Sequence, residues 1–296
     1  MLGANPSKVK IGWVTPEESE SLIPAAVAAA KQASTAIVFA YDDETEGTDR
    51  SSIALAEYQN DLITQVAKAN PHTVVVLNTG SAVAMPWLND VSSVLDMWYP
   101  GQDGAEATTA LLFGDAAPGG RLTQTFPTGD NATPVSGKPT QFPGVDGQVD
   151  FSEGIDVGYR WYEANNVQPL FPFGFGLTYT SFAYHGLAAY PTGDGGIDVL
   201  AAVTNTGKRT GQAVPQIYLG PSPAVSEPQA VRALAGYTKL TLQPGETRIA
   251  TIHVESSQLN YWNTTTNGWS RGTGQRTIWL GSSSADLAWH QPVTVD

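Results

Sequence analysis

Ala36-Ile37-Val38-Phe39-Ala40-Tyr41-Asp42-Asp43-Glu44-Thr45-Glu46-Gly47-Thr48-Asp49-Arg50 is the stretch on which the reading of this chain turns. Ala36–Ala40 is an apolar run of the length of a buried strand. It opens directly into a loop holding five carboxylates, one glycine and one arginine. Open α/β sheets place ligands beyond the carboxyl ends of their strands, which is where this loop falls. Carboxylates crowded together do not all ionise freely, so one of them is a candidate to hold its proton near neutral pH, as a general acid must. The alternative reading of such a loop is a solvated acidic turn with a structural role alone.

Outward from this loop, helix and strand alternate. Residues 21–33 are alanine-rich, with Ser21 placed to cap a helix and Pro24 in its first turn. Residues 57–69 follow, with Tyr58, Leu62, Ile63 and Val66 on one face at helical spacing. Asn70-Pro71 stops that helix, and the β-branched run Thr73–Asn78 reads as a strand buried on both faces. A further strand at 93–98 leads into Tyr99-Pro100-Gly101-Gln102-Asp103-Gly104 and a helix over 105–113. This alternation predicts a mainly parallel sheet with helices on its faces.

After Gly120 the pattern changes. Residues 127–150 are rich in Gly, Pro, Thr and Asp and read as a long connection, followed by an aromatic segment from Tyr159 to Tyr179. Beyond Ser181 come short alternating runs with turn chemistry between them: 197–203, 213–219, 239–242, 248–254 and 275–280. They predict an all-β, immunoglobulin-like sandwich without disulfides. Trp262 and Trp269 are expected to pack that sandwich, with a sugar-binding face as the other reading. The expected division is an α/β domain over 1–127, a linker wrapping between domains over 128–180, and the sandwich over 181–296.

Composition narrows the function classes. The net charge of −13 offers no basic stripe for nucleic acid or anionic membranes, and suits a neutral substrate better than an anionic one. With no cysteine, disulfides, thiolate catalysis and cysteine-bound metals are excluded. The four histidines are scattered without the close spacing of a zinc site, so no metal or other cofactor is expected. No apolar run is long enough to span a membrane, and the first residues lack the apolar core of a signal peptide.

An ordered series of motifs resembles glycoside hydrolase family 3, the β-glucosidase and β-xylosidase group. It runs through Glu44–Arg50, Ala69–Gly80, Trp98–Gln102, Leu112–Asp115 with Gly120–Leu122 and Thr125–Pro127, Phe171–Tyr179, Val203–Gly211 and Leu234–Tyr237. The resemblance implies an α/β sandwich domain followed by a fibronectin type III-like domain. It also implies that this chain lacks the TIM-type barrel with which such proteins begin. No Ser-Asp-Trp context for the family's nucleophile occurs in the chain, and residues Lys8–Pro16 resemble the end of an inserted β-rich module. The chain is therefore expected to be a downstream fragment, a split subunit or a truncated product.

By the match to Glu-Gly-x-Asp-Arg, the resemblance makes Glu46 the acid/base of a retaining glycosidase, with Glu44 as runner-up. Gly47 would allow a sharp turn beside the sugar. Asp49 and Arg50 are expected to pair or cap locally and fix the loop, while Asp42, Asp43 and Glu44 raise the proton affinity of Glu46. Asp49, Arg50, Trp98 and Tyr99 are candidate substrate-binding residues, with core packing as the other reading of Trp98. The implied partners are a β-linked oligosaccharide or glycoside and an N-terminal barrel domain or subunit. Few lysines and eight tryptophans are in keeping with secreted carbohydrate-active proteins, though the location is left open. Two other function classes stay open: a non-catalytic binding or structural module, and an inactive truncated fragment.

Overall fold

The computed structural model describes residues 19–42, 44–56 and 58–296, so Asp43, Glu57 and the segment Lys8–Pro16 lie outside the described residues. The chain divides into two compact units. One runs through Ala116 and takes in Pro127–Thr133; the other comprises Ala117–Phe126 and Pro134–Asp296.

The first unit is α/β. Its first helix, α1 (Ser19–Gln32), is already helical at Ser19, so Ser21 is not its cap and Pro24 lies inside it. A proline here removes one intrahelical hydrogen bond, which a helix tolerates best near its start. Strand β1 (Ala36–Tyr41) follows, then α2 (Gln59–Ala69), β2 (Thr73–Asn78), β3 (Ser93–Asp96) and α3 (Gly104–Phe113). The strands form a parallel sheet in the order β1-β2-β3, as the alternating pattern predicts. In central β2, Val75, Val76 and Leu77 are wholly buried, the outcome for a continuous apolar strand covered on both faces. On the face of α2, Ile63 and Val66 are fully buried, while Tyr58 and Leu62 are half-buried.

Two buried amides finish these elements. Asn70 donates both amide hydrogens, at 3.0 Å each, to the carbonyls of Ala30 and Ala33 that close α1, groups a helix end leaves without a partner. Gln59, at the start of α2, clamps the last residue of β1. It accepts from the Tyr41 N–H at 2.9 Å and donates to the Tyr41 carbonyl at 2.8 Å. A strand's outer edge presents unpaired amide groups, and this side chain occupies them just where the acidic loop departs.

Strand β3 ends at Asp96, so the predicted strand 93–98 is too long. The reason is local: Trp98 has a φ of 52°, which no strand accommodates.

The second unit is a β-sandwich. It contains the short helix α4 (Tyr159–Ala164) and then β4 (Phe182–Pro191), β5 (Ile197–Asn205), β6 (Gly211–Ala213), β7 (Gln216–Leu219), β8 (Ala233–Tyr237), β9 (Leu240–Leu242), β10 (Thr247–Val254), β11 (Asn260–Asn263), β12 (Gly268–Arg271), β13 (Gly274–Gly281) and β14 (Trp289–Val295). The larger sheets have the orders β10-β5-β4 and β14-β13-β7-β8. Alternate residues of β5, namely Ile197, Val199, Ala201 and Val203, meet Ile217, Leu219, Ile278 and Leu280 of the other sheet in one core. Each buried Val, Leu or Ile among them contributes about 1.5–3 kcal/mol.

The predicted run 213–219 is two strands rather than one, because Val214-Pro215 lies between β6 and β7 and proline has no N–H for a ladder. Tyr159 stacks on Phe173 at 4.8 Å, meets Tyr218 edge-on at 5.9 Å, and receives the Leu234 N–H on its hydroxyl. The aromatic segment is thus fastened onto β7 and β8. Trp262 and Trp269, expected inside the sandwich, instead face each other across the β11–β12 hairpin, with 46% and 71% of their surface exposed. Among the described residues β11 and β12 form a sheet of two strands, so no third strand flanks the pair. Among the described residues no helix is long and apolar enough to cross a membrane.

Candidate active site

The carboxyl ends of β1, β2 and β3 bring together three short segments: the acidic loop after Tyr41, Thr79-Gly80-Ser81 after β2, and Trp98-Tyr99 after β3. Their meeting point is Asp42, which is 7% exposed. Its Oδ2 accepts the Gly80 N–H at 2.9 Å and a contact from Arg50 Nη1 at 3.3 Å. Its Oδ1 accepts the Tyr99 hydroxyl at 2.6 Å.

Arg50 is the cation of the site. Its Nη1 donates to Glu44 Oε1 at 2.5 Å and to Ser81 Oγ at 3.0 Å, and its Nε donates to the Ser52 carbonyl at 3.3 Å. Ser81 donates in turn to Glu44 Oε1 in a short hydrogen bond. The loop's pairing therefore differs from expectation: Arg50 caps locally on Ser52 but pairs backward with Asp42 and Glu44, not with Asp49. A guanidinium half-shielded from water is best placed between two carboxylates that would otherwise repel. Beyond Arg50 the loop is fastened by Asp130, which accepts from the Ser52 hydroxyl at 2.6 Å and the Ile53 N–H at 2.7 Å.

This network sorts the carboxylates. Burial pushes Glu44 up, but hydrogen bonds from Ser81 and Arg50, a contact with Asp42 and the charge of Arg50 outweigh it, holding the carboxyl below its ordinary value. Glu44 is thus held as an ionised strut at neutral pH. Glu46 stands elsewhere. Thr45 and Thr48 pair in an antiparallel bridge, and Glu46-Gly47 forms the exposed turn between them. Gly47 has a φ of 84°, a conformation only glycine adopts without strain.

The structure places the remaining candidates unequally. Asp49 is exposed on the loop. Tyr99 joins the network through its hydroxyl while its residue surface is 58% exposed. The hydrogen bond to Asp42, desolvation and the charges of Asp42 and Glu44 push its phenol up to about 12. Trp98 is half-buried and contributes its backbone: its N–H donates to Asp96 Oδ1 at 3.0 Å, and its carbonyl accepts from Asn78 Nδ2 at 3.4 Å. A left-handed backbone costs a bulky residue about 1–2 kcal/mol. Among the described residues the other non-glycine positions with positive φ are Asp146, Asn166 and Asn267, side chains that tolerate it.

Sequence reasoning missed Gln59, Gly80, Ser81 and Asp96. The signal for Gly80 and Ser81 was present: they follow β2 as the acidic loop follows β1, and the strand-end rule applies to both. A Cβ on Gly80 would lie 2.4 Å from Glu44 Oε2 and 2.6 Å from Tyr99 Cε2, so only glycine lets the two approach. Asp96 is half-buried, and burial, aided by the charge of Asp42 and opposed by the Trp98 N–H, pushes it up to about 6. No group of three or more His, Asp or Glu suited to a metal ion occurs among the described residues.

Comparison with known proteins agrees with this architecture. Residues 8–179 match the glycosyl hydrolase family 3 C-terminal domain, and residues 213–284 match the fibronectin type III-like domain. Beta-glucosidase B of Emericella nidulans is 40% identical over 94% of this chain and 35% of its own length. A beta-glucosidase of Rhizobium radiobacter is 40% identical over 82% of this chain and 30% of its own. The crystal structure of DesR, a beta-glucosidase from Streptomyces venezuelae in complex with D-glucose, superposes with a TM-score of 0.93 at 54% identity, covering 96% of this chain and 36% of that one. The chain spans about a third of the length of the curated relatives it matches.

Proposed function

Since the chain belongs to glycosyl hydrolase family 3, we propose that it is the C-terminal portion of a retaining exo-β-glycosidase of β-glucosidase type, supplying Glu46 as general acid/base. The substrate class is a glycoside with a terminal non-reducing β-D-glycosyl residue. The nucleophile comes from a barrel domain or subunit outside residues 1–296, and residues 128–180 link the two domains of this chain.

In a retaining mechanism two carboxyl groups flank the scissile bond, roughly 5–5.5 Å apart. As the nucleophile's oxygen bonds to the anomeric carbon, the Glu46 carboxyl gives its proton to the departing glycosidic oxygen. The carboxylate left on Glu46 then takes a proton from the water that releases the sugar, returning both groups to their starting states. The observation that carries the choice of Glu46 is the engagement of its rivals: Asp42 and Glu44 are held by Arg50, Ser81, Gly80 and Tyr99, while Glu46 sits exposed on the two-residue turn between Thr45 and Thr48. Arg50 and Tyr99 act here as supports of the loop. Asp49 and Trp98 are at the periphery of the same site.

The test is turnover by the chain joined to, or mixed with, a family barrel. Glu46→Gln should lower kcat on poor leaving groups by about 10²–10⁴-fold, and azide, which attacks without a general base, should rescue activity on activated aryl glycosides. Unchanged turnover by Glu46→Gln, with loss in Glu44→Gln, would reassign the role. A second reading, a carbohydrate-binding module, draws on the exposed Trp262–Trp269 pair. Sugar binding that survives Glu46→Gln and disappears in Trp269→Ala would favour it.

A further inference from the structure

The reading of Glu46 leaves unexplained why a tryptophan occupies a left-handed backbone position at the mouth of the site. It also leaves unexplained why the carboxylate two residues earlier, Asp96, is half-buried. Asp96 Oδ1 accepts the N–H of Trp98, two residues on, closing an Asx turn. The other oxygen, Oδ2, is buried without a hydrogen-bond partner. An apolar side chain there would avoid that desolvation, so what this residue contributes is its single acceptor to Trp98. The turn has a geometric consequence. Tyr99 precedes Pro100, which biases it toward extended backbone, so the turn at Trp98 sets the course along which its side chain leaves the strand end. With Trp98 at φ 52°, the Tyr99 hydroxyl reaches Asp42 Oδ1 at 2.6 Å. Asp42 in turn holds the Gly80 N–H and Arg50, and Arg50 holds Glu44.

We propose that Asp96 is a positioning residue of this site: its Asx turn holds Trp98 left-handed, plants the Tyr99 hydroxyl on Asp42, and thereby fixes the loop that carries Glu46. The proposal takes the importance of that loop from the reading above, but the device itself stands on the contacts of Asp96, Trp98, Tyr99 and Asp42. Asparagine in place of Asp96 keeps the acceptor at the same carbon. Alanine removes it, and glutamate carries it one carbon too far. Glycine at position 98 adopts the positive φ without help.

The experiment follows the phenol carbon of Tyr99 by 13C NMR through a pH titration of the 296-residue chain labelled at tyrosine, with Tyr99→Phe assigning the signal and circular dichroism confirming the fold. In the unaltered chain and in Asp96→Asn, Tyr99 should titrate well above an ordinary tyrosine. In Asp96→Ala it should fall by about one to two pH units toward the ordinary value of ~10. In Asp96→Ala/Trp98→Gly it should rise again. A folded Asp96→Ala chain with Tyr99 unmoved overturns the proposal, as does an Asp96→Asn chain that behaves like alanine. Should Asp96→Ala fail to fold, Asp96→Glu replaces it, and equal titration in the Glu and Asn variants is then the overturning result. None of these readouts needs turnover. Failure of Glu46→Gln to affect catalysis would thus remove the acid/base assignment and leave the role of Asp96 to be judged by Tyr99 alone.

Discussion

Arg50 and Glu44, six residues apart in the chain, are bound at 2.5 Å, and this ion pair folds the acidic loop back over the end of β1. Its second carboxylate, Asp42, shares the same guanidinium nitrogen at 3.3 Å. Removing the cation would leave two shielded carboxylates facing each other. Arg50→Met should therefore destabilise the fold by about 3 kcal/mol and raise the pKa of Glu44, read by urea denaturation and by carboxyl 13C shifts. A loss below about 0.5 kcal/mol would mean the pair behaves as an exposed one.

Gly80 is the point where the strand-end segments come closest. A methyl group there meets Glu44 Oε2 and the Tyr99 ring at 2.4 and 2.6 Å. Gly80→Ala should cost about 1–3 kcal/mol through overpacking and displace Tyr99, seen as a lowered tyrosine titration. Thermal melting with unchanged midpoint would show that the loop yields freely.

Two carboxyl groups give the first unit opposite pH responses. Glu44 is held below its ordinary value, so its contribution is present above the unfolded pKa of about 4.3 and fades as pH falls through the lowered folded value. Asp96 is pushed up to about 6. The folded state then binds the proton more tightly than the unfolded state, and its contribution is present below about 3.9 and lost as pH rises through about 6. Stability should decline between about pH 4 and 6 by an amount on the order of 2 kcal/mol from this group. Asp96→Asn should flatten that decline. Equal slopes in both chains, measured by urea melts at fixed pH steps, would exclude Asp96 as its source.

Asn205 ends β5 with no exposed surface. Its amide donates to the carbonyls of Arg209 and Leu242 and accepts from Thr180 and the Gly207 N–H. Asn205→Ala leaves buried groups without partners and should cost about 2–3 kcal/mol, seen as a lower melting transition for the sandwich. A nearly neutral change would imply that water replaces the amide.

Which parts of the site were readable follows from range. The β2 run Thr73–Asn78 and the Asn205-Thr206-Gly207 turn are encoded in a few consecutive side chains, and the structure has both where the pattern puts them. The Gln59 clamp on Tyr41 spans 18 residues, and the Tyr99 bond to Asp42 spans 57. Such pairings depend on how three strands line up, which periodicity does not record. Asp96 was hidden for another reason: its partner is a backbone N–H two residues away, made available by a conformation unusual for tryptophan.

The linear order of residues thus determined the elements, the parallel sheet, the sandwich and the position of the acidic loop, because hydrophobic period, glycine, proline and strand ends act locally. Only the tertiary structure decided which carboxylates Arg50 neutralises and which one stands apart. Ion pairing and burial depend on distances of a few ångströms between chain segments, and parallel packing of β1, β2 and β3 brings those segments together.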